Sequence, residues 1–564
     1  MRQFSSFTPG LLSLASLATL TQAELGKVYW KGPCGLTNAT GISESAPMIC
    51  GTLEVPLDYT DSHSTDTLTL DLAKWPATKK PAAEPILFNF GGPGINSFEG
   101  LALYGDEFQA ILGGNNDLIT FNPRFVTLTP MSLGVGNTIP FACYISDASR
   151  NLASLQAPAD GTASNTARGE IWAQSANIAQ ACYTLNNRTG SLIGTSFAAR
   201  DTMQVLDALE GKHALLNYWG FSYGTTVGSV IAAMFPERMG HVALDGVDNP
   251  AEYLNGHNPY ATEDADKVLQ GFCLGCLAAP NLCPLAKMYN NATNLETAIY
   301  TILETLKFNP IPIPDQGGLV TYSDVKAIIY NALYVPSAWP MTSELIYYVQ
   351  TRNTTVLGNP KVYKTLKSYG MSASLTSSSS EIHTGVTCSD KARQGSMKDV
   401  LPYIKKRASL SKIAGDGSST DTRCAQWNKK MYAKERYTGD FSVKTAHPLL
   451  VLSNTYDPVT PLSAAKNLTA TFEGSVLLEQ NGYGHTTLSM PSLCKAKAVR
   501  AYFKNGTLPA DGTICQTDVP LFTNLTYADL WSKNFKRGVE SVDDANVLTA
   551  LMSVREKMSR RKLW

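Results

Sequence analysis

Ala214-Leu215-Leu216-Asn217-Tyr218-Trp219, then Gly220-Phe221-Ser222-Tyr223-Gly224, then Thr225-Thr226-Val227-Gly228-Ser229-Val230-Ile231-Ala232-Ala233-Met234 is the stretch on which the fold turns. The first segment is short and apolar enough for a buried strand. The third reads as a helix that ends before Pro236. Between them, G-x-S-x-G places a serine on a sharp, strained strand-to-helix turn with its hydroxyl exposed. The glycines are steric requirements, because side chains there collide with the neighbouring strand and helix. Ser222 is therefore the candidate nucleophile.

Working outward, Pro85-Ile86-Leu87-Phe88-Asn89-Phe90 is a buried strand entering Gly91-Gly92-Pro93-Gly94, and Leu118 to Phe121 is another. A helix over about Phe197 to Leu209 precedes the serine turn, and His241 to Gly246 is a strand ending in a turn. Strands alternating with helices predict a mostly parallel sheet covered on both faces. Upstream, Gly51 to Tyr59 and Leu68 to Trp75 alternate apolar with polar residues and read as an antiparallel pair. From Ala251 to Thr445 the alternation breaks into helical stretches and loops. It returns at Pro448 to Ser453 and Ser475 to Glu479. The expected division is a signal peptide over 1–23, core over 24–250, a mainly helical lid over 251–445, and core again over 446–564. An insertion between sheet strands is placed to cover the C-terminal strand ends, where open α/β sheets bind ligands.

Lys plus Arg equals Asp plus Glu at 47 each, which gives no global charge to draw the chain to nucleic acid or a membrane. Disorder is expected only at the ends and in the tract Ser377 to Ser380, with Arg555 to Trp564 a solvated basic tail. Met1-Arg2, the apolar run Leu11 to Leu20 and Thr21-Gln22-Ala23 read as a secretory signal peptide, so the mature chain begins near Glu24 and is secreted. No later segment approaches the ~20 apolar residues of a membrane span. The glycosylation sequons at Asn38, Asn187, Asn291, Asn353, Asn467, Asn505 and Asn524 agree with export. So do eleven cysteines. Pairing neighbours in sequence proposes Cys34 with Cys50, Cys143 with Cys182, Cys388 with Cys424, and Cys494 with Cys515. Cys273, Cys276 and Cys283 remain unassigned. A zinc site on Cys273-x-x-Cys276 lacks a second ligand pair at finger-like spacing.

A serine hydroxyl needs a base, and the base needs a third group to hold its tautomer. Of seven histidines, His63 lies in the early hairpin turn, while His213, His241 and His447 sit at strand entrances. His257 and His383 fall in the insertion. His485, in Gly482-Tyr483-Gly484-His485-Thr486-Thr487 after the last apolar strand, alone has the right place in chain order. Asp457, in Asn454-Thr455-Tyr456-Asp457-Pro458, is the favoured acid. Asp245 is its rival and Asp248 a distant third. The oxyanion donors expected are the N–H of Tyr223 and that of Gly92, with Gly91 second, since Pro93 has none.

Together these pieces resemble the secreted tripeptidyl-aminopeptidase-like and prolyl-aminopeptidase-like serine hydrolases of the α/β-hydrolase fold. The likeness rests on Gly91 to Gly94, Asn122-Pro123-Arg124, Ala199-Arg200-Asp201, Gly220 to Thr225, Leu244 to Val247, Tyr456 to Pro461, Gly482 to His485, and Cys494 through Cys515. It spans about Gly51 to Gln516 and is weak inside the lid. It implies a peptidase that releases short peptides or single residues from free N-termini, with the triad Ser222, Asp457 and His485 and no metal or organic cofactor. Such an enzyme needs acidic lid residues for the substrate's amino group, and Glu252, Glu263, Asp264 and Asp266 are the candidates. The rival readings are a secreted carboxylesterase or lipase with the same triad, and a binding protein that kept the fold. One departure is Phe125 to Leu133, which separates Asn122-Pro123-Arg124 from Gly134-Val135-Gly136 and reads as an inserted segment.

Overall fold

The computed structural model describes residues 26–34, 46–124, 139, 141–156, 158, 160–370, 378–415, 418–525 and 539–560. The proposed signal peptide, Asn38 and the segment Phe125 to Leu133 lie outside the described residues.

Among the described residues, twelve strands run β1 (Val28–Pro33), β2 (Ile49–Pro56), β3 (Thr67–Trp75), β4 (Ala83–Asn89), β5 (Asn116–Phe121), β6 (Leu216–Phe221), β7 (Met239–Asp245), β8 (Ile311–Ile313), β9 (Gly318–Val320), β10 (Leu450–Tyr456), β11 (Val476–Tyr483) and β12 (Ile514–Gln516). Ten form one sheet, in the order β1-β2-β3-β5-β4-β6-β7-β10-β11-β12. From β5 to β12 every pairing is parallel. The β1, β2, β3 and β5 pairings are antiparallel, and β2 meets β3 with Leu53 opposite Leu70. This is the mostly parallel, helix-covered sheet expected from the sequence.

Central strand β6 is buried along its whole length because the sheet is covered on both sides. Period-two geometry sends Leu216 and Tyr218 to one face and Trp219 and Phe221 to the other. The first face packs against the helices Thr195–Glu210 and Tyr223–Met234. The second joins Phe88, Phe90 and Phe108 in an aromatic cluster with ring centroids 5.0–6.5 Å apart, beneath the helices Ser97–Leu112, Leu493–Asn505 and Val542–Arg560.

Arg124 and Asp201, from two of the recurring motifs, meet in the interior. Both are fully buried, and the guanidinium donates to the carboxylate at 2.8 and 2.5 Å. Arg124 also donates to the Leu57 carbonyl at 2.7 Å, and the Tyr59 hydroxyl donates to Asp201 at 2.7 Å. Removing either partner leaves an uncompensated buried charge. These motif residues thus tie the β2 end to the helix Thr195–Glu210.

Strands β7 and β10 are adjacent, yet about two hundred residues separate them in sequence. Among its described residues that excursion is mainly helical, with the hairpin β8–β9 and a coil stretch before β10, and it has its own core around Phe272, Trp339 and Leu303. Two expectations are corrected here, and the unassigned cysteines are resolved. The serine tract is not loose: a helix starts at Ser378 and runs to Lys391, because the residues after the serines supply an apolar face, Ile382 and Val386, to the core. The basic C-terminal stretch is not wholly solvated, since Arg555 is buried in the helix Val542–Arg560 and donates to the Thr523 carbonyl at 3.0 Å. Cys276 pairs with Cys283, which excludes a zinc site on Cys273-x-x-Cys276 and leaves Cys273 as a buried thiol. Disulfides also join Cys34 to Cys50, Cys143 to Cys182, Cys388 to Cys424, and Cys494 to Cys515.

Candidate active site

Ser222 follows β6 with φ 55° and ψ −128°, a left-handed conformation that costs an L-residue of order 1–3 kcal/mol. The turn is pinned on both sides. The Ser222 N–H donates to the Asp245 carbonyl at 3.0 Å, and the Ser222 carbonyl accepts from the N–H and hydroxyl of Thr225 at 2.8 and 2.6 Å. A Cβ at Gly220 would lie 2.4 Å from the Gly224 carbonyl oxygen, and one at Gly224 2.5 Å from that of Asn89. The G-x-S-x-G spacing is thus what lets the helix start directly over the sheet. Phe221 and Tyr223 are buried, while Ser222 between them is partly open.

The loop after β4 lies against this turn. A Cβ on Gly91 would stand 3.0 Å from the Ser222 Cβ and 3.2 Å from the Tyr223 nitrogen. The Gly91 N–H is occupied, donating to Asn89 Oδ1 at 2.9 Å. The Gly92 N–H has no partner among the described residues. Tyr223 opens the helix Tyr223–Met234, so its N–H has no intrahelical acceptor and stands at the positive end of the helix dipole. These two N–H groups are the available donors.

Strands β10 and β11 end beside each other and carry the other two residues. His485 Nδ1 lies 3.0 and 3.1 Å from the two carboxylate oxygens of Asp457. Both side chains are buried. Asp457 also accepts from the backbone N–H of Val459 at 3.0 Å, of Thr460 at 2.9 Å and of Thr486 at 2.9 Å. Three backbone donors thus hold the carboxylate in place beside the imidazole. An ionised Asp457 requires the proton of a neutral His485 to sit on Nδ1, which leaves Nε2 as a base.

Asp245, the rival acid, does something else. It accepts from the Thr487 N–H at 2.7 Å and the Thr487 hydroxyl at 2.6 Å. Its carbonyl holds Ser222, so one residue anchors both the serine turn and the histidine loop. Asp248 accepts from Asn258 at 2.6 Å instead.

Several supports carry no local sequence signal. The buried Asn454 amide donates to the carbonyls of Gly484 and Thr486, both at 2.8 Å, and so brackets His485. Gln480 in turn donates to Asn454 at 2.9 Å. The His485 N–H donates to the Tyr334 carbonyl at 2.9 Å, with the Tyr334 ring edge-on to the imidazole at 5.2 Å. His383 hydrogen-bonds the Gly92 backbone, and burial pushes its imidazole down to about 4, so it is neutral at physiological pH. The Tyr223 hydroxyl lies 2.6 Å from Thr195 Oγ1, which donates to Asp390 at 2.5 Å. The excursion between β7 and β10 therefore touches the histidine loop, the Gly92 loop and, through Asp390 and Thr195, the serine turn.

Residues 411–515 match the family model described as TAP-like protein, a match that contains Asp457, His485 and the Cys494–Cys515 disulfide. Over that segment the chain is similar to the TAP-like family. The chain is 25% identical over 515 residues to serine protease Hip1 of Mycobacterium tuberculosis, covering 88% of this chain and 93% of that one. It is 23% identical to tripeptidyl aminopeptidase of Streptomyces lividans (83% and 84% covered) and 25% identical to carboxylesterase B of Mycobacterium tuberculosis (84% and 87%). Among solved structures, it aligns with esterase E22 at 11% identity and a TM-score of 0.32, covering 81% of this chain and 99% of that one. Among the described residues no group of three or more His, Cys, Asp or Glu is placed to hold a metal, and no helix is long and apolar enough to cross a membrane.

Proposed function

We propose that this protein is a secreted serine peptidase that removes short peptides or single residues from free N-termini through an acyl-enzyme. Ser222 attacks the scissile carbonyl while His485 Nε2 takes the hydroxyl proton, and His485 later returns it to the leaving amine. Asp457 holds the Nδ1–H tautomer and stabilises the imidazolium. The N–H groups of Gly92 and Tyr223 receive the developing oxyanion. Water then repeats the sequence on the ester. Export is supported by the five disulfides and by the sequons at Asn187, Asn291, Asn467, Asn505 and Asn524, all solvent-exposed.

The observation that carries the N-terminal preference is a cavity of about 290 Å³ beside the Asp457 loop, lined by Asp248, Glu252 and Glu263 with Pro461 and Ser463. Glu252 has one carboxylate oxygen buried without a partner. Burial, and then the charge of Glu263, push its carboxyl upward, so a cation placed here relieves both costs. Of the four acidic candidates, Asp264 is engaged by Lys267 at 2.7 Å. Asp266 accepts from the Ser411 hydroxyl at 2.8 Å and the N–H groups of Lys412 and Ile413 at 2.9 and 3.0 Å. Glu252, which accepts from Asn249, and Glu263, which accepts from the Ser463 hydroxyl, are the two that line the cavity, and they are assigned as the holders of a substrate ammonium, with Asp248 at their side.

The test is a peptide library offered free and N-acetylated, with products identified by mass spectrometry. Free peptides are expected to be cleaved and acetylated ones spared. The double variant Glu252→Gln, Glu263→Gln is expected to raise KM for free peptides by about 10²-fold or more, the worth of two charge-assisted contacts. Equal cleavage of acetylated peptides refutes the N-terminal preference. The carboxylesterase relative supports a second reading, for which hydrolysis of p-nitrophenyl esters without peptide cleavage is the diagnostic result.

A further inference from the structure

A second cavity, of about 410 Å³, lies within the excursion between the turn at Gly256-His257 and the helices Ser378–Lys391, Met397–Leu410 and Ser418–Ala425. Its lining is cationic where the first cavity is acidic. Lys391 is 5% exposed and faces it from the end of its helix. The ammonium has no hydrogen-bond partner among the described residues. The nitrogen lies 5.4 Å from the centroid of the Tyr253 ring, and the charges of Asp421 and Asp248 act on it without a hydrogen bond. Burying an ammonium without a hydrogen-bond partner is costly, and burial outweighs those charges and pulls its pKa down.

The carboxylates on this cavity are already committed. Asp421 accepts from Arg407 at 2.7 Å, and Asp399 accepts from the N–H and hydroxyl of Ser396, both at 2.8 Å. The remaining groups are donors. His257 stacks flat on Tyr403, centroids 3.5 Å apart, and its Nδ1 is buried without a partner. Arg393 lies across Gly256, where a Cβ would come within 2.8 Å of the arginine Cδ, and Lys398 stands on the next helix.

We propose that this cavity binds a small organic oxyanion, with Lys391 as the central contact, Arg393 and Lys398 at the rim, and His257 Nδ1–H as a neutral donor. An anion satisfies Lys391 and His257 together, which no described protein group does. The volume lies within the range of small-molecule sites and admits a multiply charged carboxylate, not only a single halide. Carboxylate and phosphate share the chemistry required, and the two are separated by experiment.

Isothermal titration of the full-length secreted protein with sodium citrate, and separately with inorganic phosphate, at matched ionic strength reads the site directly. One-to-one saturable binding is expected, weakened at least about tenfold in Lys391→Met and in Arg393→Ala. Arg393 is exposed, so its variant does not disturb the core. Acetylation of Lys391 by an amine-reactive reagent, followed by mass spectrometry, is expected to fall when the site is filled. Binding of citrate alone assigns the site to carboxylates, and binding of both assigns it to oxyanions at large. Absence of binding by either up to about 10 mM, or binding unchanged in both variants, overturns the proposal.

Discussion

Replacement of Ser222 by alanine is expected to lower kcat by about a millionfold while leaving the fold intact. Only the hydroxyl is lost. The strained backbone at φ 55° is held by hydrogen bonds from the Ser222 N–H to Asp245 and from Thr225 to the Ser222 carbonyl, and alanine keeps all of them except the side chain's own. Residual catalysis of about 10³–10⁴ over water is expected from the oxyanion donors and from binding. Circular dichroism and a denaturation midpoint close to those of the parent protein distinguish a lost nucleophile from a lost fold. Activity that survives the substitution contradicts the covalent mechanism.

The second large effect is at Asp457. Asparagine is nearly isosteric, yet it exchanges one acceptor oxygen for a donor amide. Asp457 receives four donors, the backbone N–H groups of Val459, Thr460 and Thr486 and the imidazole Nδ1–H. An amide cannot accept from all of them, and whichever side carries its nitrogen faces an N–H. If that side faces His485, the imidazole is driven to the other tautomer and Nε2 is no longer a base. A loss of about 10⁴ in kcat is expected for Asp457→Asn, with KM little changed. Asp245→Asn separates the two acids, because Asp245 holds Thr487 and is not hydrogen-bonded to the imidazole. Its effect on kcat is expected to be much smaller than that of Asp457→Asn, and a larger effect would exchange the two roles.

The central sheet is legible in the sequence because its strands are buried on both faces and read as apolar runs, as in Ile86 to Phe90 and Leu449 to Leu452. The serine turn is legible for a steric reason: Gly220 and Gly224 have no room for a side chain, so the pattern records the geometry itself. Asp457 and His485 could be nominated from their positions after β10 and β11, but chain order alone left Asp245 as a competitor. The distance from Nδ1 to the Asp457 carboxylate separates them, and the hydrogen bonds of Asp245 to Thr487 explain why a second acid belongs there.

What the sequence does not disclose is mostly support delivered from far away. Tyr334 lies about 150 residues before His485 and contributes a backbone carbonyl, which any residue type supplies. His383 reaches the Gly92 loop from a helix whose start, a run of serines, reads as disorder. The Asn454–Gln480 amide pair sits on two neighbouring strands and is indistinguishable, by residue type, from surface polar positions. The cysteines were tractable where pairs close modest loops and ambiguous where three crowd into eleven residues; Cys276 and Cys283 pair because both face the core of the excursion.

The measurement that reaches the central claim most directly is labelling of the native protein with a fluorophosphonate, followed by proteolysis and mass spectrometric mapping. A single adduct on the peptide containing Gly220 to Gly224, at Ser222, is the expected result, with labelling suppressed in Asp457→Asn. An unlabelled protein, or an adduct on any other residue, would contradict the assignment of Ser222 as an activated nucleophile.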